Sequence, residues 1–335
     1  MPSPISHTLL SRYLPVEKDS PYFAKWLYNK GYFQIGSIAP DLPYGAIADN
    51  DFLENEAFLA NLFHFTENRQ DSEQCPNRLP LLGLRRVKSL IQQGAAKREC
   101  NALFWFLVGY TSHVIADGMC HPYVLDKVGR YEGSNKADHR ALEIGIDVML
   151  FKHFTTTSGH EIEAAYAGMD TFINEFNQWR YANFILEHFA GLIKDVYGER
   201  FTPNEIKGWV NGISRLFCLS TGKWPDWIRW HDTTESFVFR LIDDLKDRED
   251  GYLVLEKPRF WERNFLNTPR VHLLDDCLPH FNHLMKSFLD KAYAYVYESG
   301  PQISEDDLPA FSLDTGRTVN DPDSIALAPL LWEVA

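Results

Sequence analysis

Residues 102–121, Ala102-Leu-Phe-Trp-Phe-Leu-Val-Gly109-Tyr110-Thr-Ser-His113-Val-Ile-Ala-Asp117-Gly-Met-Cys120-His121, decide the reading of this chain. A strongly apolar run leads into Gly109-Tyr110, and three metal-capable side chains then follow at a constant step of four. On an α-helix that step keeps His113, Asp117 and His121 on nearly one face. Pro122 removes a backbone donor and disfavours helix in the residue before it, so the helix is expected to stop near His121. The stretch reads as a largely buried helix whose C-terminal turns carry a polar stripe.

The geometry of that stripe limits its chemistry. His113 and His121 lie eight residues apart, roughly 12 Å of helix at ~1.5 Å per residue, whereas zinc–nitrogen bonds are only about 2.0–2.1 Å. One ion shared by both histidines would stretch both side chains to their limit. A more natural arrangement puts His113 and Asp117 on one ion and turns His121 toward another, with Asp117 able to bridge through its two oxygens. Core or surface histidines near a helix end are the bland alternative, and three spaced ligands in an otherwise apolar helix argue against it.

Composition narrows the function classes. The chain has 335 residues, enough for one large domain or two. Its 33 basic and 46 acidic residues give a net charge of −13, which argues against nucleic-acid binding driven by phosphate neutralisation. The five cysteines are scattered without a C-x-x-C pair, so neither a disulfide framework nor a thiolate zinc site is read. Cys120, beside His121, reads as a small buried residue. No signal peptide is visible at the start, and no apolar run reaches the ~20 residues needed to span a bilayer. The expectation is a soluble, cytoplasmic protein.

Outward from the central helix, helical periodicity dominates. Residues 5–14 read as a short amphipathic helix carrying His7, and residues 20–31 as a second. In Gly36-Ser-Ile-Ala-Pro40-Asp41-Leu-Pro43-Tyr44 two prolines flank Asp41, which places it outside a helix with its carboxylate in a fixed direction. His64 is embedded in the apolar stretch 58–66. Residues 67–80 read as a loop, and 81–98 as a helix whose basic end suits its C-terminus. Beyond the polar connection 123–138, Asp138 is a plausible N-cap. Its helix repeats the four-residue step with His139, Glu143 and Asp147. Further helices are expected at 161–179, 181–197, 203–219, 235–247 and 275–298.

Strand-like alternation is scarce, with residues 252–256 the best exception, and the tryptophan cluster 224–230 reads as packing between helices. The fold class is therefore all-α, a multi-helix bundle around a metal cluster with an irregular C-terminal tail. The organisation is one metal-binding domain over 1–250, a helical extension over 251–298 packed on it, and an extended or poorly ordered tail over 299–335.

The ligand-type residues occur in the order Asp41, His64, H-x-x-x-D at 113–117, His121, and H-x-x-x-E at 139–143. Carried by GSIAPDLPY, GYTSHVIADGMCHP and DHRALEIGID, this order resembles the zinc-dependent phospholipase C family and, more distantly, the fungal zinc single-strand nucleases. By motif the resemblance covers roughly residues 1–160. It implies an all-α enzyme with a zinc cluster of two or three ions. Asp41, His64, His113 and Asp117 would hold one, and His121, His139 and Glu143 a second. His7, with the bridging Asp117, would hold the third. Secreted members complete that third site with the free amino end of a tryptophan, whereas this chain begins with Met1. Its Asp117–His121 gap is also shorter than in the well-known secreted enzymes. Asp147 has no ligand role in the pattern and is read as orienting a ligand histidine.

Oxygen and nitrogen donors without thiolates suit zinc or another first-row divalent cation. The function expected is metal-dependent hydrolysis of a phosphoester or phospholipid, phospholipase C-like, with Asp41 orienting or deprotonating the attacking water. The alternatives are a non-catalytic, metal-stabilised helical protein and a nuclease-like phosphodiesterase.

Overall fold

The computed structural model describes residues 4–48, 60, 62–64, 75–128, 139, 142–143, 145–147, 150, 153–154, 169, 171–220, 274, 277–310 and 313. Helix makes up 77% of them and no strand occurs among them, so the fold is all-α. In chain order the elements are α1 (Pro4–Arg12), α2 (Phe23–Gly36), a 3-10 segment (Ala39–Ala48), α3 (Arg78–Gln92), α4 (Lys97–Val128), α5 (Ala182–Tyr197), α6 (Pro203–Ser220) and α7 (Leu278–Tyr297). The expected helix 235–247, the tryptophan cluster 224–230 and residues 252–256 lie outside the described residues.

The bundle is organised around α4. Every side chain from Ala102 to Val108 is buried, including Phe104, Trp105 and Phe106. A helix that is apolar all round has to be surrounded, and α1, α2, α3, α5, α7 and the 3-10 segment all pack on it. Trp105 meets Tyr22 and Phe33 edge-on, and Phe106 and Tyr110 do the same with Phe189 of α5.

Two places where glycine meets glycine set the closest approaches. A Cβ on Gly109 of α4 would lie 2.1 Å from the Phe33 carbonyl oxygen, and one on Gly36 at the end of α2 would lie 1.9 Å from that of Phe106. The helices therefore cross backbone against backbone. On the other side, a Cβ on Gly45 of the 3-10 segment would come 2.0 Å from the Trp209 oxygen, and one on Gly212 of α6 would come 1.8 Å from the Gly45 oxygen. The segment carrying Asp41 is thus pressed against α6 with no side chain as spacer.

Several local expectations change. The helix does not stop at His121, because α4 runs through Pro122 to Val128. An interior proline costs about 3 kcal/mol, and burial of Met119, Cys120, His121 and Val124 around it outweighs that. Residues 81–98 are not one helix. α3 ends where Gly94 takes φ 84° and the Gly94 and Ala95 amides bond back to Ile91 and Leu90, leaving Lys97 and Arg98 to open α4. Pro80 lies in the first turn of α3, where no intrahelical amide bond is lost. Asp41 does sit in a helix, but of the 3-10 kind, and its amide bonds to the Ile38 carbonyl three residues back at 3.0 Å. The start of α6 is fixed by a capping box, in which Thr202 and Glu205 bond to each other's amides with Pro203 at the first helical position.

After α7 the chain returns over the bundle. Ile303, Leu308 and Leu313 are buried, the Leu308 carbonyl accepts from Asn77, and the Leu313 amide donates to the His64 carbonyl at 3.0 Å. Glu305 and Asp307 pair with Arg78 and Lys291.

The glycine crossing gives a direct test. Gly109→Ala should lower the unfolding free energy by about 3 kcal/mol, the upper range for overpacking. Gly94→Ala, with open space around it, should cost only the ~1–2 kcal/mol of a left-handed non-glycine residue. Urea denaturation of the two variants checks the order; equal losses would contradict the crossing.

Candidate metal centre

Each of the eight ligand-type side chains singled out in the sequence is at most 3% exposed. They come from five places in the chain: α1 gives His7, the 3-10 segment Asp41, the helical residues around 60–64 His64, α4 the row His113, Asp117, His121, and the helical residues at 139–147 His139 and Glu143. The structure brings them into two adjoining groups.

In the first group His64 Nε2 stands 3.0 Å from His113 Nε2, 3.4 Å from Asp41 Oδ1 and 3.4 Å from Asp117 Oδ2, and His113 Nε2 is 3.1 Å from Asp117 Oδ2. The outer nitrogens of both rings face backbone carbonyls: His64 Nδ1 that of Ala60 at 2.5 Å and His113 Nδ1 that of Ser37 at 2.9 Å. A carbonyl only accepts, so these partners assign the ring proton to Nδ1 in both histidines. With both Nδ1 atoms so engaged, the two Nε2 atoms are turned toward each other and toward two carboxylates. Such a set of facing nitrogen and oxygen donors is one that could hold a metal ion. Four donors around zinc at 2.0–2.1 Å in tetrahedral geometry lie about 3.3–3.4 Å from one another, close to the distances here. The donor set fits the ion.

Asp117 divides its oxygens. Oδ2 faces the two histidines above, and Oδ1 lies 3.0 Å from His7 Nε2. His7 itself stacks on His113 with ring centroids 3.8 Å apart, and His7, Asp41 and His113 have ligand atoms within 4.8 Å of one another. Burial pushes the Asp117 carboxyl up, but the charges and hydrogen bonds of His113 and His7 outweigh it and hold the group well below the usual carboxylate range. Asp41, 1% exposed, accepts no hydrogen bond among the described residues, and a buried carboxylate in that state demands an opposite charge.

The second group begins one turn further along α4. His139 Nε2 lies 3.2 Å and His121 Nε2 3.9 Å from Glu143 Oε1, with the two rings edge to face. Their ligand atoms again fall within 4.8 Å. Cys120 belongs to none of these donor groups. Burial, reinforced by Asp117, pushes its thiol up to about 12. Asp147 Oδ1 accepts from the amide and the hydroxyl of Ser6, at 2.9 and 2.5 Å.

Among the other histidines, His188 lies on α5 and His280 and His283 on α7. His160, His231 and His272 are outside the described residues. Sequence reasoning missed the Ser37 and Ala60 carbonyls that orient the two central rings. Ala60 stands four residues before His64, a spacing visible in hindsight; Ser37 reaches His113 only through the Gly36–Gly109 crossing.

A family profile described as zinc dependent phospholipase C matches residues 5–199. The chain belongs to this zinc-dependent phospholipase C family. The match takes in all eight side chains and continues through α5, farther than the motifs alone reach, whereas α6, α7 and the return segment 300–313 lie beyond it. No curated protein and no solved structure matches the chain. As expected for a zinc-dependent family, the phospholipase C-like chain offers donor groups suited to metal. Among the described residues no helix is long and apolar enough to cross a membrane.

Chelation tests the site without any substrate. A ligand held at 1,000 times its Kd stabilises by about 4 kcal/mol, so a strong chelator should lower Tm by several degrees at pH 7.5. Calorimetry with and without chelator checks this; identical Tm values at pH 7.5 would contradict it.

Proposed function

We propose that this chain is a phospholipase C-like phosphodiesterase that hydrolyses a phospholipid or related phosphoester at a zinc centre. The observation that carries the reading is the facing pair of Nε2 atoms on His64 and His113 with Asp41 and Asp117 beside them. The ligand sets proposed are Asp41, His64, His113 and Asp117 for one zinc, His121, His139 and Glu143 for a second, and His7 with the second oxygen of Asp117 for a third. Zinc bound there supplies a Lewis acid that lowers the pKa of water toward ~7 and offsets charge on the phosphoryl oxygens.

The chain's own residues do the rest. Asp117 holds two sets of imidazoles in one register, His7 at Oδ1 and His64 with His113 at Oδ2. Asp41 Oδ1 turns toward His64, which leaves Oδ2 to accept the proton of the attacking water. Held rigidly by the Gly45–Gly212 contact, that carboxylate needs no rearrangement to act as general base. The net charge of −13 favours lipid or small phosphoesters over nucleic acid. One observation favours a second reading, in which the metal only stabilises the bundle: every proposed ligand is nearly fully buried, as in closed structural zinc sites.

Turnover of a chromogenic phosphocholine diester, with single-stranded DNA as comparison, separates these. The wild type should cleave the diester. Asp117→Asn should lose metal and turnover together, whereas Asp41→Asn should lower kcat by about 10²–10⁴-fold, the range for a general base. A zinc-loaded wild type inert on every phosphoester would overturn the catalytic reading in favour of the scaffold.

A further inference from the structure

Asp147 is fully buried, yet it belongs to neither donor group. Its Oδ1 accepts from both the backbone amide and the hydroxyl of Ser6, at 2.9 and 2.5 Å, across 141 residues of sequence. Ser6 is the third residue of α1, so its amide is one of the first-turn donors that the helix itself leaves unbonded. A carboxylate at that end also opposes the positive pole of the helix. The next residue is His7, whose ring is pinned between the face of His113 and Asp117 Oδ1. Asp147 lies one turn beyond Glu143, itself one turn beyond His139. One helical row therefore offers two donors to the second group and grips the helix that delivers His7 to the first.

We infer that Asp147 is a positioning residue that locks Ser6 and so sets His7 against Asp117, coupling the His7 position to the helix of the second metal group. The inference rests on reading His7 and Asp117 as cation ligands. α1 has only nine residues, too short to hold its own position by helix propensity. The carboxylate–Ser6 grip supplies the register that a nine-residue helix lacks. Asparagine at 147 keeps an acceptor oxygen of the same shape; alanine removes it.

Zinc occupancy reads this without reference to catalysis. Purified full-length chain is dialysed against buffers of fixed free zinc, and metal per chain is measured for wild type, His7→Ala, Asp147→Ala, Asp147→Asn and the double variant His7→Ala/Asp147→Ala. Asp147→Ala should weaken the same equivalent that His7→Ala removes, by about 10–100-fold, the usual effect of losing an outer partner of a metal site. Asp147→Asn should restore most of it. In the His7→Ala background, Asp147→Ala should lose no further metal. Equal weakening of all equivalents, or additive loss in the double variant, would overturn the inference by showing a general packing role. Should Asp147→Ala fail to fold, Ser6→Ala takes its place. It keeps the amide bond and removes the hydroxyl, and should weaken the same single equivalent; unchanged zinc in Ser6→Ala would overturn the inference. A wild type that binds zinc and cleaves no diester, with the selective loss intact, would remove the phosphodiesterase reading and support the clamp.

Discussion

Two imidazole nitrogens face each other at 3.0 Å while the outer nitrogen of each ring is held by a backbone carbonyl, and that crowded contact governs the rest of this molecule. Two buried carboxylates stand beside them, and like charges gathered there repel. In a low-dielectric interior the repulsion is strong. A cation seated among these donors would turn that crowding into ligation. The carbonyls of Ser37 and Ala60 enforce the contact, since they fix each ring with Nε2 inward.

Much of the fold serves to hold that cluster rigid. Without side chains at Gly36 and Gly109, α2 lies against α4 closely enough for the Ser37 carbonyl to reach His113. Without side chains at Gly45 and Gly212, α6 clamps the 3-10 segment that holds Asp41. The helical residues carrying His64 are tied at one end by their own Ala60 carbonyl and at the other by the Leu313 amide of the returning chain. Large aromatic side chains around Trp105 and Phe189 then fill the bundle, so that burial of apolar surface offsets the cost of gathering polar donors at its centre.

The sequence showed the donor rows because a helix turns a four-residue step into a common face, and His113, Asp117, His121, His139 and Glu143 all obey that step. It also showed the all-α class, since periodicity near 3.6 is local. Long-range matters were hidden. Nothing in the sequence near Gly109 says that Gly36 lies opposite, and nothing near Asp147 points to Ser6. Pro122 misled because its local cost is real, while the burial that outweighs it belongs to the whole bundle. The Asp41 segment misled in the opposite sense: its prolines do exclude an α-helix, yet a 3-10 helix with bonds three residues back accommodates them. The end of the 81–98 pattern was legible only in Gly94, whose positive φ separates α3 from α4.

The most direct measurement is a crystal structure with anomalous data collected on both sides of the zinc edge. The account predicts a strong anomalous peak among His64 Nε2, His113 Nε2, Asp41 and Asp117, at about 2.0–2.2 Å from each donor. A map without a peak there, with His64 and His113 joined by an ordinary N–H···N hydrogen bond, would contradict it.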